Sequence, residues 1–147
     1  MDNKDMAQKL ASLAQLDIDA AHAYAAAIEK VDMASVKERL EGYREDHERH
    51  IKALSTEISR LGETPPDYSP DFKGFFIEGF TSLRSSSGTA GALKAMHTNE
   101  KLTNKRYEEA SRLDLPAGLK NIIAAAWEDE RRHLDYVETA INEKVWE

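Results

Sequence analysis

The chain has 147 residues, 41% hydrophobic and 32% charged, with a formal net charge of −7. That is the size of a single domain, expected to span 1–147 with a core of its own. The absence of cysteine excludes disulfide scaffolds, thiol catalysis, Cys-type zinc sites and iron–sulfur clusters, and an acidic chain without a Lys/Arg-rich arm is not expected to bind nucleic acid.

The first residues, Met1 to Met6, carry no apolar segment of the kind a secretory signal needs. The apolar runs near 121–127 and 72–80 are too short to span a bilayer, so no membrane contact and a cytoplasmic location are expected.

In chain order, the first long helix is expected from about Asn3 to Val31. Leu10, Leu13, Ala20, Tyr24, Ala27 or Ile28, and Val31 fall at the three- and four-residue steps of a buried seam. Asp32 or Ser35 is expected to cap the second helix, which runs to about Leu61 with Val36, Leu40, Tyr43, Leu54, Ile58 and Leu61 inside, and Gly62 stops it.

Three of the four prolines lie in the loop from Gly62 to Pro70. A short helix is then expected from near Asp71, carrying Phe72, Phe75, Phe76, Phe80 and Leu83 and ended by Ser85-Ser-Ser-Gly88. Its phenylalanines cover one side of the bundle or, on the sharper reading, form a homodimer interface.

A third long helix is expected from about Thr89 to Leu113, with Leu93, Met96, Thr103, Tyr107 and Ala110 on its seam. Pro116 suits the first turn of the fourth, which runs to about Val145 with Leu119, Ile123, Ala126, Val137 and Ile141 inside. No strand is expected. The fold class is all-α: a four-helix bundle of two antiparallel hairpins joined by one long crossover with an extra short helix, the arrangement called ferritin-like.

Each seam is interrupted by ionisable side chains. Asp17 fills the gap in helix one, His47 and His50 in helix two, Glu100 in helix three, and Glu130 and His133 in helix four. Burying such groups costs several kcal/mol each unless something compensates. Asp17 and His47 each lie 15 residues from Asp32, and Glu100 and Glu130 each lie 15 from Leu115. Each arm is about 22 Å at ~1.5 Å per residue, so the six groups meet at one level of the bundle. A shift of 83 residues maps Asp17, Tyr24, His47 and His50 onto Glu100, Tyr107, Glu130 and His133, and also pairs Glu45-Asp46 with Glu128-Asp129 and Arg49 with Arg132.

With a carboxylate on helices one and three, His47-Glu-Arg-His50 on helix two and Glu130-Arg-Arg-His133 on helix four, the sequence resembles the ferritin-like superfamily. That superfamily includes rubrerythrins, bacterioferritins and di-metal carboxylate oxidases. Within it the chain looks closest to small, uncharacterised bacterial ferritin-like proteins, and the seven-residue spacing from Glu100 to Tyr107 is similar to that of rubrerythrins.

The resemblance implies metal ligation by Asp17, His47, His50, Glu100, Glu130 and His133, two iron ions with Mn or Zn as alternatives, and ferroxidase or peroxidase chemistry with O2 or peroxide and an external electron donor. It departs from the pattern at Asp17, one methylene shorter than Glu, and at His47, which stands where a second bridging Glu is usual. A neutral imidazole ligates through one nitrogen, so Glu130 is left as the bridge and the ligand charge falls from −4 to −3. A weaker di-metal site or a single ion would follow from that loss, and the alternative function is a non-catalytic helical binding or structural module that retains one metal ion or none.

Without a metal, three imidazoliums and three carboxylates would have to pair with one another. Tyr24 and Tyr107 read equally as core aromatics or as hydrogen-bond donors to the carboxylates. His97 reads as a flanking surface residue rather than a seventh ligand, and His22, Asp46 and Glu48 as solvated.

Overall fold

In a computed structural model describing residues 1–72, 83 and 87–147, four long helices pack side by side: α1 (Asn3–Lys30), α2 (Ala34–Arg60), α3 (Gly88–Ser111) and α4 (Ala117–Asn142). No strand occurs among the described residues, and no described helix is long and apolar enough to cross a membrane. The all-α four-helix bundle expected from the seams is the fold of the chain. Phe75, Phe76, Phe80 and the short helix expected there lie outside the described residues.

The helix ends follow from local chemistry. Asp2 caps α1, its side chain accepting from the Asp5 amide at 2.8 Å. α2 closes in a Schellman motif. The Gly62 amide donates to Ser59 O and the Glu63 amide to Ile58 O, with Gly62 at φ +87°, a conformation glycine adopts without penalty.

Neither Asp32 nor Ser35 caps α2. Met33 occupies the cap with no side-chain hydrogen bond, because the helix starts at Ala34, which leaves Asp32 one residue before the cap and Ser35 inside the first turn. The Asp32 amide donates to Thr89 Oγ1 at 3.0 Å, tying the first turn to the start of α3. Gly88, expected to end the preceding element, instead opens α3. Asp71 and Phe72 are not helical either, and Phe72 has φ +50°.

α1 packs against α2 and α3, and α3 against α4, while the α2–α4 side is the thinnest of these four packed pairs. The crossover from α2 lies along the outer side of α1. Ser69 O accepts from Gln15 Nε2, and the carboxylate of Asp19 accepts from the amides of Asp71 and Phe72 at 2.8 and 3.1 Å. This covering leaves α1 buried nearly all round, which is why Ala14, Ala21, Ala23 and Asp19 are buried although they lie off the seam. His22 is not solvated but half-buried beneath Tyr68, the rings 4.6 Å apart.

The apolar interior forms two separate clusters. One, around Leu10, Leu13, Leu54, Ile58, Leu119 and Ile123, fills the end where α1 begins. The other, around Ala27, Val36, Leu40, Leu93 and Met96, fills the end where α1 meets α2, and Leu83 joins it. Between them lies a polar layer.

Candidate metal centre

All six seam residues lie in that layer. Asp17, His47, Glu130 and His133 are fully buried, and Glu100 and His50 are 1% and 4% exposed. Two groups of four have ligand atoms within 4.8 Å of one another and could hold a metal ion: Asp17, His47, His50 and Glu130; and His47, Glu100, Glu130 and His133.

In the first group, His47 Nδ1 and His50 Nδ1 donate to Asp17 Oδ1 at 2.7 and 3.1 Å, and Glu130 Oε1 lies 3.4 and 3.2 Å from the same nitrogens. In the second, Glu100 Oε1 stands 3.6 Å from His47 Nε2 and 3.7 Å from His133 Nδ1, while Glu130 Oε2 is 3.3 Å from His133 Nδ1.

A ring of supporting contacts surrounds the six, and each crosses between repeats. Tyr24 on α1 donates to Glu100 on α3 at 2.5 Å, and Tyr107 on α3 donates to Asp17 on α1. The equal weight given to Tyr24 and Tyr107 as core aromatics or donors is thereby resolved: both rings are buried, and both hydroxyls hold carboxylates of the layer.

His50 Nε2 on α2 donates to Asp129 on α4, and His133 Nε2 on α4 donates to Asp46 on α2, both at 2.8 Å. Asp46 is therefore not a solvated charge, contrary to expectation; it stands with Asp129 as a partner of the layer. Arg49 binds Asp46 and reaches Asp129 at 3.5 Å, and Arg132 binds Asp129 and reaches Asp46 at 4.0 Å. These four charges link α2 and α4 where apolar packing is thin. Glu48 is exposed as expected but accepts from the Tyr68 hydroxyl, and His97 pairs with Glu138 at 3.2 Å, outside both groups.

The charges of the layer shift one another. Burial lowers the pKa of each imidazole, but the surrounding carboxylates outweigh it. His47 is raised to about 9 by Glu130, Asp17 and Glu100; His50 to about 11 by Asp17 and Glu130; His133 to about 12 by Asp46, Glu100 and Glu130. Burial raises the pKa of Asp17 and Glu100, yet the imidazoles hold both carboxyls below their ordinary range. Burial, reinforced by the Glu100 charge, pushes the Tyr24 phenol well above 10 and keeps it a neutral donor.

This pairing does not satisfy the layer. His47 Nε2, Glu100 Oε2, both Glu130 carboxyl oxygens and His133 Nδ1 are buried with no hydrogen-bond partner. Native interiors rarely leave such atoms unpaired, and five in one layer call for another partner. Two pair-accepting oxygens on one carboxylate and two ring nitrogens on different helices form the donor set a divalent cation takes. The residues present fit a metal.

A family profile described as a domain of unknown function (DUF2383) matches residues 5–113. The chain belongs to this family. The match on this DUF2383 chain spans α1, α2, the crossover and α3, and so includes Asp17, His47, His50 and Glu100 but stops before Glu130 and His133. No curated protein matches the sequence.

The two sides of the layer differ in cover. The Tyr43 ring lies 4.2 Å from that of His133. The 83-residue shift pairs Tyr43 with Ala126, and beside His50 that alanine lines a cavity of about 370 Å³ together with Ala53, Leu54, Ile122 and Asp129.

Proposed function

We propose that Asp17, His47, His50, Glu100, Glu130 and His133 bind two metal ions and that the protein is a ferritin-like, di-metal oxidoreductase of ferroxidase or peroxidase type, with iron as the working metal. The observation that carries this reading is the set of five ligand atoms buried in one layer without a hydrogen bond, four of them held only by charge contacts of 3.2–3.7 Å. The donor set of three carboxylates and three imidazoles suits iron, manganese or zinc.

The supporting contacts fit the same purpose. A metal-ligating histidine typically donates its second ring nitrogen to a carboxylate, as His50 and His133 do to Asp129 and Asp46. Tyr24 and Tyr107 fix the angles of Glu100 and Asp17. When bound, iron would supply one-electron exchange with O2 or peroxide. The cavity of about 370 Å³ beside His50 gives small molecules an approach to the layer. With no cysteine in the chain, reducing equivalents would come from an external donor. In this reading residues 1–147 act as one cytoplasmic domain, and the Phe-rich stretch after Pro70 supports a homodimer.

A second reading, a non-catalytic helical module with one ion or none, is favoured by the mutual pairing of imidazoles and carboxylates around Asp17. Elemental analysis after anaerobic competition among Fe(II), Mn(II) and Zn(II) separates the two, with His50→Ala/His133→Ala as control. Two ions per chain, lost in the variant, together with peroxide consumption by the Fe(II)-loaded protein, are the expected results. One ion without peroxide consumption establishes the second reading as a metal-bearing module, and no ion removes the oxidoreductase.

A further inference from the structure

The two groups of ligand atoms share two residues, Glu130 and His47. Glu130 can serve both because a carboxylate has two oxygens, and these separate as required: Oε1 faces the imidazoles of His47 and His50, Oε2 that of His133. His47 divides in the same way. Its Nδ1 faces Asp17 Oδ1 at 2.7 Å and Glu130 Oε1 at 3.4 Å. Its Nε2 faces Glu100 Oε1 at 3.6 Å and has no hydrogen-bond partner.

The other two imidazoles differ. His50 and His133 each commit Nε2 to an aspartate at 2.8 Å outside the centre, leaving Nδ1 alone to face inward. Of the three, His47 is the ring with both nitrogens turned to the layer.

We propose that His47 binds both ions at once. Nδ1 ligates the ion held by Asp17 and His50, and Nε2 the ion held by Glu100 and His133, with Glu130 spanning the pair. This inference rests on the metal-binding reading above and deepens it.

The chemistry sets a condition. A neutral imidazole offers one in-plane lone pair, because its other nitrogen carries a proton. To present two lone pairs, His47 must lose both ring protons, one as each nitrogen–metal bond forms, and the protons pass to solvent. The ring is then an imidazolate of charge −1. Added to Asp17, Glu100 and Glu130 it brings the ligand charge from −3 to −4, the charge of the four-carboxylate pattern. The substitution of a histidine for a bridging carboxylate thus leaves both the bridge and the total charge in place.

The test uses Zn(II), which is redox-inert, on the full chain with 15N-labelled histidine. Two Zn(II) per chain are expected, with both His47 nitrogens at metal-bound shifts and no His47 ring N–H, while His50 and His133 each keep one. In parallel, a crystal structure of the Zn(II)-loaded protein is compared with that of His47→Glu. The wild-type ions are expected farther apart than the ~3.5–4 Å usual in two-metal sites, and the variant is expected to draw them into that range. Circular dichroism checks that the variant folds, and the NMR result on the wild-type chain stands without it.

Two Zn(II) with a His47 ring N–H retained would overturn the bridge while leaving the metal centre intact. A single Zn(II) overturns it as well, and leaves a mononuclear site. No Zn(II) removes the metal-binding reading itself.

Discussion

The Tyr24 hydroxyl lies 2.5 Å from Glu100 Oε1, and its counterpart 83 residues on, Tyr107, reaches Asp17, so each hairpin's tyrosine holds the other hairpin's carboxylate. The contact welds α1 to α3 through buried polar groups rather than through apolar surface alone. A buried carboxylate that loses its donor retains its desolvation penalty.

Tyr24→Phe or Tyr107→Phe is therefore expected to cost about 1–3 kcal/mol in urea unfolding of the metal-free protein, far more than a hydroxyl deletion at the surface. A loss below about 0.5 kcal/mol, the scale of a surface substitution, would mean that the hydroxyls do not support the carboxylates.

Asp46 and Asp129 set the ring orientation of the histidines facing them across the α2–α4 boundary. Asp46→Ala and Asp129→Ala should each weaken Zn(II) binding by about 10–100-fold, measured by competition with a chromophoric chelator. Equal affinity in both variants would place these aspartates outside the function of the centre.

Proton inventory gives a third expectation. In the metal-free protein His47, His50 and His133 have pKa values near 9, 11 and 12, so all three are imidazoliums at pH 7. Ligation requires their deprotonation. Loading Zn(II) into unbuffered protein at pH 7 is expected to release at least three protons per chain, read with a pH indicator. Release of fewer than two would contradict the charge state assigned to the layer.

The same values fix the sign of the pH dependence. The histidine pKa values are raised on folding, so their contribution to metal-free stability is complete below the unfolded value of 6.5. It is lost as pH rises, first towards about 9 for His47. Asp46, lowered from 3.8 to about 2, contributes in the opposite sense, fully above 3.8 and progressively less as pH falls. Metal-free protein should thus unfold at lower urea concentration at pH 9 than at pH 6. Zn(II)-loaded protein should show the reverse, since protons compete with the ion. Parallel curves for the two forms would argue against binding at this layer.

Two glycines separate backbone strain from helix propensity. Gly88 opens α3 at φ +73°, so Gly88→Ala should destabilise by roughly 1–2 kcal/mol. Gly42 lies within α2, where an added Cβ meets nothing within 4 Å, and Gly42→Ala should stabilise by about 0.5–1 kcal/mol. Thermal melts of the two variants moving in the same direction would refute the contrast.

The sequence pointed to the layer because interruptions of the seams are local and periodic: Asp17, His47, His50, Glu100, Glu130 and His133 each fall where an apolar residue is due. Its supporting aspartates were harder to read. Asp46 and Asp129 lie at the edge of their helices, where an acidic side chain normally faces water, and only the position of the neighbouring helix brings a histidine to them. The repeat that pairs Asp46 with Asp129 and Arg49 with Arg132 was the available signal. The burial of His22 and the outer face of α1 depends on where the long connection lies, which no short-range pattern encodes. The start of α2 falls at Ala34, between the two capping candidates Asp32 and Ser35, and the Asp32 amide is held by Thr89, a partner 57 residues distant that no local pattern reveals.

The exchange of an aromatic for a methyl at one pair of related positions, Tyr43 and Ala126, leaves the two halves of the layer unequally covered. His133 lies behind a ring, whereas His50 borders open space. If the layer binds two ions as proposed, traffic to the interior has a front door and a back room: a first ion arriving past Ala126 would lodge beside Asp17 and His50, and the berth beside Glu100 and His133 would fill behind it, so that the two positions would load in order rather than at random.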